Sequence, residues 1–235
     1  MFERIVGFGD SWVWGDELIA PELRHEPDAH ACLDSNTTYR QQHCFLGLLG
    51  QHYNLPADNF GWPGASLQST IWTYIWWLNN SQQDPAKCLI LVGLTDAHRM
   101  SFYNPRHVSY ADDPAWNKFV HSTWIHYSDS KQEQEWRDMV RLHTLLTDCA
   151  QLRLLNYEQA VLFFDGQSKQ NLFQFSTMQP EKPMSKPSLL WPDSGLRQRI
   201  TDAKLLAKNG HPNELGHRQI SEQLIKQLNS AIMLG

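Results

Sequence analysis

The stretch Lys87-Cys-Leu-Ile-Leu-Val-Gly93 decides how the rest of the chain is read. Its apolar residues run without alternation, the pattern of a strand buried on both faces, and such strands lie at the centre of parallel sheets covered by helices on both sides. Working outward, Glu3 to Phe8 is a second short apolar stretch, which stops at Gly7-Phe-Gly-Asp-Ser11 and reads as a buried strand ending in a tight turn. Gln159-Ala-Val-Leu-Phe-Phe-Asp165 reads as another buried strand, and Asn59-Phe-Gly61 as a short one.

Between these segments the apolar period is helical. Residues 38–53, with Phe45, Leu46, Leu48, Leu49 and Tyr53, predict a helix. Ser66 is a plausible N-cap for a helix to about residue 80, carrying Ile71, Tyr74, Ile75 and Leu78. Further helices are expected over 130–156 and from Pro212 to Ile232. Residues 19–37 read as a loop, 100–129 as an aromatic-rich insertion, and 166–190, with Pro180, Pro183 and Pro187, as a lid. Strands alternating with helices predict one α/β domain over residues 1–235: a three-layer, doubly wound, flavodoxin-like parallel sheet with helices on both faces. Its ligand crevice is expected outside the carboxyl ends of the strands.

Composition narrows the function. A net charge of -5, with no basic stripe, disfavours nucleic acid as a partner, because that affinity comes from clustered Lys and Arg. No apolar run approaches the ~20 residues needed to span a bilayer, and the start of the chain lacks a secretory signal pattern. No membrane partner and a cytoplasmic location are therefore expected. The four cysteines, Cys32, Cys44, Cys88 and Cys149, are widely spaced and read as buried free thiols. His25, Asp28 and His30 lack paired helical spacing, so neither metal nor cofactor is expected. Of ten tryptophans, Trp62, Trp72, Trp76, Trp77, Trp116 and Trp124 fall where loops or amphipathic helices could flank a site, although large aromatics more often fill cores.

Four short motifs fall at strand ends or just before a helix: Gly9-Asp10-Ser11, Gly61-Trp-Pro-Gly64, Gly93-Leu-Thr-Asp96 and Gly210-His211-Pro212-Asn213. A serine hydroxyl is a weak nucleophile unless a base takes its proton, and His211 is the best-placed base for Ser11 if the last loop folds back beside the first strand. In order and spacing the four motifs resemble the sequence blocks of the SGNH (GDSL-like) hydrolases, over nearly the whole chain. The resemblance implies serine-dependent ester hydrolysis, with Ser11 as nucleophile and His211 as general base. It assigns oxyanion stabilisation to the backbone N–H groups of Ser11 and Gly64 and to a side chain in the third block.

The sequence departs from that pattern twice. Thr95 stands where the third block carries Asn, and no carboxylate lies two or three residues before His211, where Lys208 and Asn209 stand. A backbone carbonyl or Asn209 is expected to orient the imidazole, with Asp193 or Asp202 as more distant candidates. Asp10 and Asp96 are expected to hydrogen-bond their own turns, and Asp16 and Glu17 to start the helix or turn after the nucleophile. The expected substrate is a small-molecule or glycan ester, carrying a small acyl group on a sugar or other polar alcohol. The alternatives are a glycan-binding module with little turnover, which the altered Thr95 and Asn209 would suit, and a lipase or thioesterase. Composition gives no oligomeric state.

Overall fold

A computed structural model describes residues 2–25, 33–95, 157–167, 171–176, 189–190, 200–201 and 203–233. The expected insertion 100–129, the expected helix 130–156, Asp96, Asp193 and Asp202, and Cys32 and Cys149, lie outside the described residues.

Among the described residues five strands, β1 (Arg4–Gly9), β2 (Ala57–Gly61), β3 (Cys88–Leu94), β4 (Leu172–Ser176) and β5 (Leu189–Leu190), form one sheet in the order β2-β1-β3-β4-β5. Every pairing is parallel, with Phe8 opposite Phe60 on one side and Val92 on the other. This is the doubly wound order expected from the sequence, and its switch point lies between β1 and β3.

The continuous apolar runs are divided between two cores by the two-residue period of a strand. Ile5, Leu89, Leu91, Phe173 and Phe175 face one layer, which contains Phe45, Leu46 and Leu49 of α3 (Phe45–Tyr53) and Ile220, Leu224 and Leu228 of α6 (Glu214–Met233). Val6, Phe8, Ile90, Val92 and Leu172 face the other, which contains Leu67, Ile71, Tyr74 and Trp77 of α4 (Leu67–Asn80) and Ala160, Val161 and Phe164 of α5 (Tyr157–Gln167). Each Val, Leu, Ile or Phe among them, taken fully from water, contributes about 1.5–3 kcal/mol. Trp77 is core, edge-on to Phe8, whereas Trp62 and Trp76 are each 55 % exposed. Cys44 and Cys88 are buried and free. Ser66 caps α4 through a reciprocal bond with Ser69, as its position predicts.

Three expectations are corrected. Residues 159–165 are not a strand but the body of α5, where buried Ala160, Val161 and Phe164 recur at helical spacing and Leu162 points outward, 47 % exposed. The strand is instead β4, which with β5 falls inside the segment expected to be a lid. The single helix expected over 38–53 is two, α2 (Thr37–His43) and α3, broken at Cys44, whose ψ of 157° is extended. At the break the Phe45 N–H donates to Nδ1 of His217, a partner supplied from α6. Among the described residues no helix is long and apolar enough to cross a membrane.

Candidate active site

β1 ends at Gly9, and the chain passes directly into α1 (Ser11–Trp14), a single helical turn at the switch point of the sheet. Asp10 caps this turn: its Oδ1 accepts from the Trp12 N–H at 3.0 Å, and its Oδ2 accepts from the Thr95 hydroxyl at 2.7 Å. The expectation that Asp10 serves its own turn is met, with an added tie to the end of β3. At the other end of the turn, the Trp14 carbonyl accepts from Arg40 Nη1 at 2.8 Å, and the Arg40 guanidinium lies 3.6 Å from the centre of the Trp14 ring. Asn59 of β2 donates to the Val13 carbonyl at 2.8 Å. Ser11 is thus held on a turn braced from β2, β3 and α2, and it is buried.

Gly15 closes the turn in the left-handed region at φ 88°, and an added Cβ would come within 2.9 Å of the Cys44 Cβ. Two residues on, Glu17 is again left-handed, at φ 64°. For a residue with a side chain that conformation is uncommon and strained, and it persists here because the flanking chain is pinned. Buried Asn36 donates to the Leu18 carbonyl at 2.7 Å and accepts from the Ala20 N–H at 2.8 Å. After this double reversal the Asp16 and Glu17 carboxylates lie 3.7 and 3.1 Å from the ring nitrogens of His211.

His211 arrives from the far end of the chain on a tight hairpin. Leu206 pairs with Pro212, and the Ala207 N–H donates to the His211 carbonyl at 2.7 Å. Asn213 accepts from the Gly216 N–H at 2.9 Å and so caps the start of α6. The imidazole lies with Nε2 at 2.9 Å from Ser11 Oγ and Nδ1 at 3.1 Å from Glu17 Oε2. The Glu17 carboxylate also accepts the backbone N–H of Asn209 at 2.9 Å and that of His211 at 3.2 Å.

Ser11 and His211 are therefore brought together, as the motifs predict. The orienting group is corrected. Among the described residues neither the Asn209 side chain, which is exposed, nor a backbone carbonyl bonds Nδ1, and Asn209 contributes its N–H to Glu17 instead. Glu17 does not merely start the turn after Ser11. The one sequence signal for it is an acid two residues after a glycine that ends the helical turn of Ser11. Thr95 is also corrected: its hydroxyl has one proton, and that proton is directed to Asp10, which leaves none for an oxyanion. Gly64 sits at φ 84° in a turn closed by the Ala65 N–H on the Trp62 carbonyl at 3.0 Å, the geometry that places glycine third in a Pro-Gly turn. The Trp62 N–H bonds the Gly9 carbonyl at 2.9 Å and keeps this turn beside the end of β1.

His217, one turn along α6, is buried and stacks on Phe45, and burial followed by the charge of His211 lowers its pKa from 6.5 to about 3. It is a neutral structural histidine. Among the described residues no group of three or more His, Cys, Asp and Glu could hold a metal ion.

Fold and site together define an α/β protein in which Ser11, His211 and Glu17 are hydrogen-bonded in series at the switch point of a parallel sheet. No protein-family model matches the chain, and no curated protein does. Solved structures with a similar fold include two proteins assigned to the lipolytic G-D-S-L family. The one from Desulfitobacterium hafniense is 12 % identical, with a TM-score of 0.35 over 94 % of this chain and 97 % of that one. The one from Veillonella parvula is 12 % identical, with a TM-score of 0.37 over 95 % and 96 %. A carbohydrate esterase, described as having divergent catalytic and non-catalytic binding functions in its active site, is 14 % identical, with a TM-score of 0.40 over 97 % of this chain and 65 % of its own.

Proposed function

We propose that this chain is a serine-dependent ester hydrolase of the SGNH type. The observation that carries the reading is the unbroken contact from Ser11 Oγ to His211 Nε2 and from His211 Nδ1 to Glu17. An ionised carboxylate only accepts, so Nδ1 holds the ring proton, and Nε2 is left bare to accept from the serine hydroxyl. Ser11 Oγ attacks the ester carbonyl carbon as its proton passes to Nε2, and Glu17 stabilises the imidazolium that forms. The tetrahedral oxyanion is held by the backbone N–H groups of Ser11 and Gly64. Collapse breaks the bond to the alcohol oxygen, which takes the proton from Nε2. Water then attacks the acyl-serine with His211 as base, releasing the acid and restoring the hydroxyl.

The substrate is proposed to be a small acyl group on a carbohydrate or other polar alcohol. A glycan-binding module with little turnover was favoured by the altered Thr95 and Asn209; Glu17 supplies the acid that Asn209 does not, whereas the Thr95 hydroxyl, directed to Asp10, leaves oxyanion stabilisation to backbone donors. The test is stoichiometric labelling of Ser11 by a fluorophosphonate, combined with hydrolysis of short-chain aryl esters. Wild type should label and turn over, and Ser11→Ala should do neither, with a loss of at least about 10³-fold in kcat/KM. Turnover by Ser11→Ala at the wild-type rate would overturn the reading.

A further inference from the structure

The imidazole of His211 lies between two carboxylates, and the relay uses only one of them. Asp16 Oδ2 is 3.7 Å from His211 Nε2, on the side that faces Ser11. The residue is fixed there: its Oδ1 accepts the Glu17 N–H at 3.0 Å, its own N–H donates to the Ser11 carbonyl at 3.0 Å, and its side chain is 25 % exposed. At 3.7 Å, Oδ2 is beyond hydrogen-bond distance of the ring, whose Nε2 lone pair is engaged by Ser11.

On the ester-hydrolase reading, its distance of 3.7 Å from Nε2 puts Oδ2 at the border of the place taken by the departing alcohol. When the acyl-enzyme forms, Nε2–H returns its proton to the leaving oxygen, which must then lie about 3 Å from Nε2. Atoms attached to that oxygen fall within reach of Asp16. In the gauche conformer of a 1,2-diol monoester, the free hydroxyl oxygen lies about 3 Å from the ester oxygen, so the two oxygens can meet Oδ2 and Nε2 together. A carboxylate accepts and does not donate, and it repels anions.

Resting on the ester-hydrolase reading, we propose that Asp16 is a specificity-determining residue for the alcohol side of the ester. It selects monoesters of vicinal diols, as in partly acylated sugars or glycerol, and rejects esters bearing a carboxylate or phosphate at that position.

Two acetates that differ by one hydroxyl test this. Ethyl acetate and 2-hydroxyethyl acetate share the acyl group and hence the acyl-enzyme, so the ratio of their kcat/KM values reports recognition of the alcohol. Wild type should favour 2-hydroxyethyl acetate by about 10- to 100-fold, the range of a hydrogen bond to a charged group. Asp16→Ala should bring the ratio close to that of the uncatalysed reactions, and Asp16→Asn, which keeps an acceptor without the charge, should retain part of it. O-Acetylglycolate should be a poor substrate of wild type and improve relative to ethyl acetate in both variants. A wild-type ratio near the uncatalysed one, or a ratio unmoved by Asp16→Ala, overturns the assignment. Failure of wild type to hydrolyse either acetate, with no fluorophosphonate labelling of Ser11, overturns the ester-hydrolase reading itself and the role of Asp16 with it.

Discussion

Glu17 holds His211 at two points: its Oε2 accepts from the His211 backbone N–H at 3.2 Å and faces the ring Nδ1 at 3.1 Å, across a sequence separation of 194 residues. The carboxylate thereby fixes both the position of the loop and the tautomer of the ring. Glu17→Gln removes the charge and replaces one acceptor oxygen with an amide that donates, so one of the three N–H groups converging on it meets another donor. In the serine-protease relay the corresponding change costs about 10⁴ in kcat. Here kcat is expected to fall by about 10²–10⁴ with little change in KM, measured on a short-chain aryl ester. A kcat within twofold of wild type would mean that Ser11 and His211 act as a dyad.

Asn209→Asp tests the same point from the opposite side. If Asn209 oriented the imidazole, a carboxylate there would raise activity. Since its backbone N–H already bonds Glu17, the new charge sits beside an existing one and repels it. The expected kcat/KM is equal to or below that of wild type, with mass spectrometry used to exclude deamidation at Asn209-Gly210. A variant faster than undeamidated wild type would return Asn209 to the orienting position.

Thr95→Val deletes the hydroxyl that donates to buried Asp10 and leaves that carboxylate oxygen without it. Removing one partner of a buried bond costs about 1–3 kcal/mol. For a chain of this size the thermal midpoint should fall by on the order of 5 °C, whereas Thr95→Ser, which keeps the donor, should stay near wild type in both midpoint and kcat. An unchanged midpoint in Thr95→Val together with a kcat lowered by about 10²–10³ would assign the hydroxyl to the oxyanion.

The strands that frame the site were legible because β1 and β3 are apolar along their whole length, and a run of that kind has few other uses. The exchange of α5 and β4 was not. Ala-Val-Leu-Phe-Phe is short enough to suit either state, and β4 is disguised by Gln174, which is fully buried and donates to the Val161 carbonyl at 3.3 Å. A polar residue whose amide bonds a neighbouring helix cannot be recognised as core before the packing is known. Ser11 and His211 were legible because each stands in a glycine-bearing turn beside a strand or helix. Glu17 was hidden because its role depends on two left-handed residues, Gly15 at φ 88° and Glu17 itself at φ 64°, and on a hairpin contributed by the opposite end of the chain.

His217 makes stability depend on pH in a direction set by its environment. Burial holds its pKa near 3 in the folded protein, against 6.5 when exposed. Between those values the unfolded chain binds a proton that the folded one does not, so folding weakens as pH falls through 6.5 and is supported in full above it. From this group alone the loss between pH 7 and pH 5 amounts to about 2 kcal/mol. His217→Phe keeps the aromatic contact with Phe45 and cannot titrate, although it leaves the Phe45 N–H without its Nδ1 acceptor. The variant should therefore be less stable at pH 7, by about 1–3 kcal/mol, yet lose less on acidification. Urea unfolding at pH 7 and pH 5 measures both effects, and the difference between the two pH values is the diagnostic quantity. It should be about 2 kcal/mol smaller in His217→Phe than in wild type. Equal pH differences in the two proteins would show that His217 protonates as readily folded as unfolded, and that its burial between Phe45 and α6 does not exclude the charge.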